Sequence, residues 1–486
     1  MKLKDDITDL ELFDYLNKLK RQGMFLFVED KKLKYRINKE LYNEELINEI
    51  KVNKENLLRY LSKAQENTLE LSSLQLAYMA GQIEGEFLNK VNAHYYIEFE
   101  KRNLDIDNLE KNINLLIRKN DILRLVLLSE GKGIILDKVP LYKVLQYRYE
   151  IQEERQTMRK SLSNMIYNVE TWPMFNFVVG KRNIGENKND VLHISFDCSV
   201  LDAWSAGKMI YQLFALYEGE KVSFSDISYK EYVRHLKKYK ELEFNRKLLI
   251  AAERYWDSRI MSLPKTPNLR TKVEIENLDE YKFKRKEYWF SKDQTDGLIY
   301  YSKRKCVTLS AILITIYMKV LSELVDVDEL TITTTLFGKL PVVKNIDDLL
   351  GEFTNIGLLS YKDEHKFILD SIKETQKQIF KLLEYRCLDG ISIINKIRLQ
   401  ENKKNKLFPI VVTCMIGENY SSCKNGFREI CSLSRTPQVY LDHHIRVIDE
   451  RIVITFDYID ELLYEEDIDW IVKEYTDTVS EICSNR

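Results

Sequence analysis

Three residues with the capacity for proton transfer or hydrogen bonding lie close together in the chain: Asp197, Asp202 and Ser205. Residues 192–196 before them alternate apolar and polar side chains, the period of a half-buried strand. The residues after them recur at helical spacing until Gly219. Two carboxylates at such a strand-to-helix junction either orient a proton-transfer site or hold a buried cation and cap the helix. The spacing alone leaves both interpretations open.

Two later segments place polar side chains on predicted strands. A buried strand carries Thr413, and a second segment carries Gln438 and ends in Asp442. Read from strand propensity alone, Thr413 is an ordinary strand threonine and Asp442 is a strand-end carboxylate. We expect His443 and His444, which follow directly, to be strand-end residues that face opposite ways.

The junction Asp197-x-x-x-x-Asp202-x-x-Ser205 resembles the signature of heterocyclization domains of nonribosomal peptide synthetases, a branch of the condensation-domain superfamily. Ordinary condensation domains carry His-His-x-x-x-Asp-Gly at this place, whereas Asp197 and Cys198 stand here at the two histidine positions. Further motifs resemble the family in the same order, over residues 69–480. The resemblance therefore covers most of the chain.

Departures from the family pattern occur in the long motif near residue 340. Gly338 and Lys339 replace an Asn-Arg pair, and Glu352 replaces an aspartate. Because lysine is a point donor and lacks the guanidinium fork, we expect substrate positioning or rate to be altered. The resemblance also implies three substrate-positioning residues: Gln75 and Tyr78 of the opening motif, and Thr354 of the long motif.

The resemblance implies an α+β or α/β fold with two chloramphenicol-acetyltransferase-like lobes, which form a V around a central tunnel. We expect the first lobe over residues 70–245 and the second over residues 246–486. Substrates would arrive on the 4′-phosphopantetheine arms of donor and acceptor carrier proteins. An amide would form with carrier-bound Cys, Ser or Thr, and cyclodehydration would then give a thiazoline or oxazoline. The resemblance implies no directly bound cofactor and no metal.

In that family, the residues that match Thr413 and Asp442 serve the cyclodehydration. Asp442 would exchange the protons, with Thr413 as a hydrogen-bonding positioner and Gln438 orienting the amide. We expect the junction residues Asp197, Asp202 and Ser205 mainly to shape the loop, and Asp202 to pair with a buried cation.

The first sixty residues are predicted to be a separate unit. A helix ends near Gly23, two strands at 24–28 and 33–37 form a hairpin, and helices follow at 44–50 and 54–61. This pattern resembles TubC-type docking domains, whose hairpin receives the C-terminal tail of the preceding synthetase subunit. We assign residues 1–62 to this domain and residues 63–69 to a polar linker. A decoration packed on the main domain is the alternative.

Composition narrows the class of protein. The chain has 486 residues, 44% hydrophobic content, and 74 basic against 76 acidic residues. This balance gives no net positive charge that would attract nucleic acid or an anionic membrane. Its seven scattered cysteines indicate neither a disulfide framework nor a zinc site. The N-terminus does not resemble a signal peptide, and we expect a cytoplasmic protein.

Three other functions compete with heterocyclization. An ordinary amide-forming condensation domain would need the two histidines that Asp197 and Cys198 replace. A free-standing acyltransferase would not need the first sixty residues. A non-catalytic docking scaffold would form no product, and the Gly338-Lys339 departure favours it.

Overall fold

The computed structural model describes residues 9–29, 31–37, 44–81, 91–128, 130–182, 189–278, 281–344, 346–365, 367–401 and 408–484. The N-terminal unit has the predicted order of elements, namely α1 (Asp9–Arg21), β1 (Met24–Glu29), β2 (Lys32–Ile37), α2 (Glu44–Val52) and α3 (Lys54–Asn67). β1 and β2 pair antiparallel as a hairpin. Apolar side chains of the three helices and the hairpin form a small core that also contacts Val126 and Leu136 of the main domain.

The stretch predicted to be a polar linker, residues 63–69, has regular secondary structure. α3 continues without a break to Asn67, and β3 (Thr68–Glu70) follows it directly. β3 joins β6 (Lys132–Ile135) and β5 (Leu125–Leu128) in a three-stranded sheet of order β3-β6-β5. Ala64 is buried in the core of the N-terminal unit, and Leu69 is buried in the core of the main domain. Sequence reasoning missed these two apolar side chains because the residues around them are polar.

The sheet of the N-terminal lobe has six strands in the order β14-β15-β4-β9-β8-β7. Its strands are β4 (His94–Arg102), β7 (Leu145–Tyr149), β8 (Phe175–Arg182), β9 (Asn189–Asp197), β14 (Cys423–Lys424) and β15 (Phe427–Arg435). Five helices accompany them: α4 (Ser73–Ala80), α5 (Ile106–Lys119), α6 (Gln152–Ser163), α7 (Ala203–Tyr217) and α8 (Tyr229–Glu241). The apolar stripes of α5 and α7 pack on one face of the sheet and form the core of this lobe.

The sheet of the C-terminal lobe has six strands in the order β10-β17-β16-β13-β11-β12. Its strands are β10 (Phe283–Trp289), β11 (Glu329–Leu336), β12 (Asn355–Lys362), β13 (Ile410–Tyr420), β16 (Leu441–Ile448) and β17 (Arg451–Ile459). The helices are α9 (Glu243–Ile260), α10 (Lys292–Lys305), α11 (Leu309–Leu324), α12 (Ile368–Glu384), α13 (Gly390–Glu401) and α14 (Glu465–Ser484). The nearly all-apolar helix α11 lies at the centre of this lobe's core.

One strand from the predicted second lobe, the crossing strand β15, lies in the sheet of the first lobe. β15 comes late in the chain, yet it pairs antiparallel with β4 in the N-terminal sheet, where Arg435 lies opposite His94. After a short turn the chain enters β16 of the C-terminal sheet. The two sheets are therefore joined covalently beside the residues that the sequence predicts to be catalytic.

No single helix among the described residues is long and apolar enough to cross a membrane. The bent pair α10 and α11 meets the length and composition test only when both helices are taken together, across a bend of 106°. Most of α11 is buried in the core of its lobe. Within the same residues, no cluster of three or more histidine, cysteine or acidic side chains is arranged to hold a metal ion.

Candidate functional site at the lobe interface

The first aspartate of the junction accepts hydrogen bonds from its own loop and from Asn92. Asp197 ends β9, is fully buried, and its Oδ1 accepts a hydrogen bond from Ser199 N at 2.9 Å. Asn92 Nδ2 donates to Oδ2 at 3.4 Å, and Arg435 of the crossing strand donates to Asn92 Oδ1 at 3.2 Å. Burial raises the pKa of Asp197, although these hydrogen bonds oppose the shift. Asp197 thus holds the loop and, through Asn92, the crossing strand.

The second aspartate and the serine clamp a segment from the C-terminal half of the chain. Asp202 is the N-cap of α7, since its Oδ1 accepts from Ser205 N at 2.7 Å. Its Oδ2 accepts from Phe353 N at 3.1 Å, and Ser205 Oγ accepts from Gly351 N at 3.1 Å. Gly351 permits a close approach, because an added Cβ would lie 2.4 Å from the ring of Tyr229.

The expected ion pair of Asp202 with a buried cation is wrong among the residues that the structure describes. Burial raises the pKa of Asp202, and the charge of Lys339 opposes this shift. The ammonium group of Lys339 donates instead to the carbonyls of Ile346 and Asp347, at 3.2 and 2.9 Å. Backbone N–H groups rather than a cation therefore satisfy the carboxylate of Asp202. A short sequence motif cannot reveal this, because Phe353 is distant in the sequence.

The side chain of Gln75 forms hydrogen bonds with the junction loop and with Ser72. Its Nε2 donates to Ser199 O at 2.7 Å and its Oε1 accepts from Ser72 N at 2.9 Å, so both ends of the carboxamide are used. This finding differs from the predicted contact with substrate. Gln75 instead braces the loop between Asp197 and Asp202.

Thr354 is likewise coupled to a protein group. Its backbone N–H donates to Oε1 of Glu352 at 2.8 Å, and Ser72 Oγ donates to Oε2 of the same carboxyl at 3.2 Å. Glu352 is only 4% exposed. Burial, aided by the charge of Asp202, raises the pKa of Glu352 to about 8, so this carboxyl is largely neutral at pH 7.

Thr413 and Asp442 lie on the same face of the C-terminal sheet. β13 and β16 are parallel neighbours, in which Val411 is paired with Asp442 and Thr413 with His444. Paired residues and residues two apart in a strand project to the same side. Asp442 is 6% exposed, and its Oδ1 makes no hydrogen bond to any described residue. The face therefore holds a hydroxyl and a buried carboxylate oxygen that has no hydrogen-bond partner in the described part of the chain.

Groups from both lobes converge near this carboxylate. Burial raises the pKa of Tyr78 well above its usual value, and the charges of Glu352 and Asp442 add to the shift. Burial likewise raises the pKa of Cys198, again with a contribution from Asp442. The side chains of the opening motif, the junction and the C-terminal sheet thus lie within electrostatic range of one another.

Gln438 lies in the turn that links the crossing strand to β16. Its φ of 66° is in the left-handed region, and Val439 N donates to Thr436 O at 3.3 Å across the turn. The preceding Pro437 packs against Gly81 at the end of α4, where an added Cβ would lie 2.3 Å from the proline Cβ. The opening motif and the turn that carries Gln438 are therefore in direct contact.

The two histidines face opposite ways, as predicted. His443 points into the C-terminal core, where its ring stacks on Phe456 with centroids 4.3 Å apart, and burial lowers its pKa to about 3. His444 points to the other face, with its Nε2 3.2 Å from Asp442 Oδ2 and 3.5 Å from Asp457 Oδ2. Sequence reasoning did not connect His444 with Asp442, although a spacing of two in a strand places both side chains on the same face.

Sequence reasoning also missed Trp204, the second residue of α7. Its indole ring lies 6.3 Å from the ring of Phe337, centroid to centroid, and 3.3 Å from the position of a Cβ at Gly417. The indole Nε1 is buried and makes no hydrogen bond within the described part of the chain. Trp204 therefore connects the junction to β13 at the lobe interface.

Comparisons with known proteins agree with this architecture. The model of the Condensation domain family matches residues 65–486, and the model of the TubC N-terminal docking domain matches residues 13–63. A solved structure, the EpoB NRPS cyclization-docking bidomain from Sorangium cellulosum, covers 97% of this chain and 98% of its own, with a TM-score of 0.77 and 22% sequence identity. Its two-part fold is the fold seen here.

Curated relatives are longer than this chain. Pyochelin synthetase PchE from Pseudomonas aeruginosa is 22% identical over 87% of this chain, which spans 29% of that protein. Phenyloxazoline synthase MbtB from a Mycobacterium strain is 22% identical over 80% of the chain, which spans 33% of that protein. Bacitracin synthase 1 from Bacillus licheniformis is 23% identical over 85% of the chain, which spans 8% of that protein. Since the Condensation model matches most of its length, the chain belongs to the condensation-domain family and carries a TubC-type docking segment at its N-terminus.

Proposed function

We propose that this chain is a heterocyclization domain, which joins a carrier-bound acyl or peptidyl thioester to carrier-bound Cys, Ser or Thr and then closes a thiazoline or oxazoline. The observation that carries the proposal is the buried Oδ1 of Asp442, which has no hydrogen-bond partner among the described residues and shares a face with Thr413. An unpaired buried carboxylate oxygen is costly unless a ligand uses it.

Amide formation requires no nucleophile from the protein. The amine of the acceptor attacks the thioester carbonyl, a C–N bond forms, the C–S bond breaks, and the amine proton goes to the departing thiol. Holding both pantetheine arms at one lobe interface supplies much of the rate by proximity. The junction contains Asp197 and Cys198 where an ordinary condensation domain has two histidines. Burial raises the pKa of Cys198, so its thiol stays neutral at the pH of the reaction.

Ring closure requires two proton transfers, which we assign to Asp442. In the first, the carboxylate takes the thiol or hydroxyl proton while sulfur or oxygen bonds to the amide carbon, and it passes this proton to the carbonyl oxygen. In the second, it takes the proton of the amide nitrogen and delivers it to the departing hydroxyl as C=N forms and C–O breaks. One water leaves. Thr413 supports the oxygen through its hydroxyl, and Gln438 at the turn orients the amide.

We assign residues 1–62 to docking with an upstream synthetase subunit. The outer face of the hairpin carries Phe25, which is 48% exposed, beside Arg36 on the paired strand. The same face carries Phe27, with the guanidinium of Arg36 5.2 Å from its ring centroid, paired with Lys34. This aromatic and basic face suits the acidic C-terminal tail of a preceding subunit.

Mass spectrometry of an acceptor carrier loaded with cysteine tests the function. After the acceptor is mixed with an acyl-loaded donor carrier and the protein, the product is expected to be lighter by one water than the simple amide. A product that keeps its water would instead support ordinary condensation. Absence of transfer would support a docking scaffold, which the replacement at Gly338 and Lys339 favours.

Deletion of residues 1–62 tests the docking assignment separately. Transfer from an intact upstream subunit is expected to fall at low concentration, whereas transfer from an excess of free donor carrier is retained. Equal loss with both donors would show that the segment serves the stability of the main domain, with which it shares a core.

A further inference from the structure

The proposed mechanism leaves one charged residue of the candidate site without a role. His444 lies two residues after Asp442 on the same face of β16, and its pair across the parallel neighbour is Thr413. It is 9% exposed and therefore cannot rely on solvent to stabilise a charge. It stands in contact with both residues to which the ring closure is assigned.

His444 bridges two carboxylates. Its Nε2 is 3.2 Å from Asp442 Oδ2 and 3.5 Å from Asp457 Oδ2. Asp457, on β17, is fully buried and rigidly held, since Arg285 Nε donates to its Oδ1 at 2.6 Å and Arg285 Nη2 to its Oδ2 at 2.5 Å. Ser434 N of the crossing strand donates to the same Oδ2 at 3.0 Å. Asp457 is therefore held in place beside the imidazole, whose Nε2 lies at ion-pair distance from both carboxylates without a hydrogen bond to a described residue.

The charges require a second cation beside Arg285. Two buried carboxylates face one guanidinium, and an uncompensated buried charge is expensive. Burial alone would lower the pKa of His444, but Asp442 and Asp457 outweigh it and raise the pKa to about 9. Burial would raise the pKa of Asp457, but Arg285 and His444 lower it to about 2. An imidazolium at position 444 completes a neutral set of four groups.

We propose that His444 is a positioning residue for ring closure, which as an imidazolium holds Oδ2 of Asp442 and leaves Oδ1 directed at the substrate. This inference rests on the proposed function. The proposed role explains why the two oxygens of Asp442 differ: Oδ2 lies beside His444, whereas Oδ1 has no partner among the described residues. A carboxylate free to rotate would present either oxygen and would lose the alignment that proton transfer requires.

The groups that face His444 come from four strands. They are Asp442 on its own strand, Asp457 on β17, Thr413 on β13, and Arg285 on β10, which acts through Asp457. Further along β16, Arg446 pairs with Glu429 at 3.4 Å and forms a separate charge pair. His443 on the opposite face is neutral, since burial lowers its pKa to about 3.

Kinetics of H444Q and R446Q test the role. For H444Q we expect amide formation to be unchanged, ring closure to slow by about 10- to 100-fold, and the uncyclised amide to accumulate. The alkaline limb of the ring-closure pH profile, which the loss of the His444 proton near pH 9 would produce in wild type, should be absent from H444Q. R446Q removes a cation from the same strand face and should leave both rates and the profile as in wild type. Ring closure by H444Q at the wild-type rate with an unmoved profile would overturn the inference.

NMR titration of histidine-labelled full-length protein gives a second result that does not depend on activity, with the His444 signal assigned by its absence from H444Q. The imidazole of His444 is expected to titrate above about pH 8 in wild type and at clearly lower pH in D442N. A wild-type midpoint below about pH 8 would overturn the inference, even in a protein that forms rings. Failure of the proposed function would appear differently, as a wild-type product that keeps its water.

Discussion

Glu352 offers a direct test of the electrostatics at the lobe interface. Its carboxyl is buried between the opening motif and the clamped segment, and burial raises its pKa from 4.5 to about 8. The folded chain therefore holds this proton more tightly than the unfolded chain does. The stabilisation that results is complete below about pH 4.5 and is lost as the pH rises through about 8. Replacing Glu352 with glutamine, which mimics the neutral carboxyl, should remove this dependence.

The size of the effect follows from the two pKa values. At about 1.4 kcal/mol per pH unit, the full interval corresponds to about 5 kcal/mol of unfolding free energy. About half of this total falls between pH 5 and pH 7, because the unfolded carboxyl ionises over that range while the folded one does not. E352Q should therefore lose about 2–3 kcal/mol less unfolding free energy than wild type on going from pH 5 to pH 7.

Urea denaturation of both proteins at the two pH values measures this difference. E384Q serves as the control, since Glu384 is solvent-exposed and pairs with Lys381 at 2.7 Å; its pH dependence should match wild type. Parallel pH dependence in wild type and E352Q would refute the reasoning, because it would show that Glu352 is ionised at no cost in the folded state.

Two other substitutions probe the clamp between the junction and the segment at residues 351–354. Gly351→Ala would place a Cβ 2.4 Å from two ring carbons of Tyr229, so thermal unfolding should reveal a loss of about 1–3 kcal/mol; unchanged stability would show that the ring moves freely. Asp202→Ala removes the α7 cap and the acceptor of Phe353 N, for an expected loss of about 2–4 kcal/mol in denaturant titration. Ser205→Ala, which keeps the backbone cap and loses the hydroxyl that accepts from Gly351 N, should cost less than Asp202→Ala.

Much of the fold could be predicted because it is encoded locally. The alternation at 192–196 became β9, the helical spacing after Asp202 became α7, and the N-terminal hairpin formed between the expected helices. Each of these patterns reflects which side of a single element faces a core, and this information is contained in a window of a few residues.

The errors came from long-range pairing. Nothing in residues 427–435 indicates that this strand joins the sheet of the other lobe, because a strand's own sequence does not specify its neighbours. Asp202 was expected to pair with a cation, yet its partner is a backbone amide 151 residues away. The contacts of Gln75 with Ser199 and of His444 with Asp457 likewise depend on how separate elements pack together.

The most direct measurement follows the product of Asp442→Asn by intact mass, with the acceptor carrier loaded with cysteine and the donor carrier loaded with an acyl group. The variant is expected to form the amide at the wild-type rate and to accumulate it without loss of water. The control Asp460→Asn, which alters a carboxylate paired with Lys284 at 3.0 Å, should cyclise normally. Ring formation by Asp442→Asn at the wild-type rate would contradict the assignment of proton transfer to this face of the sheet.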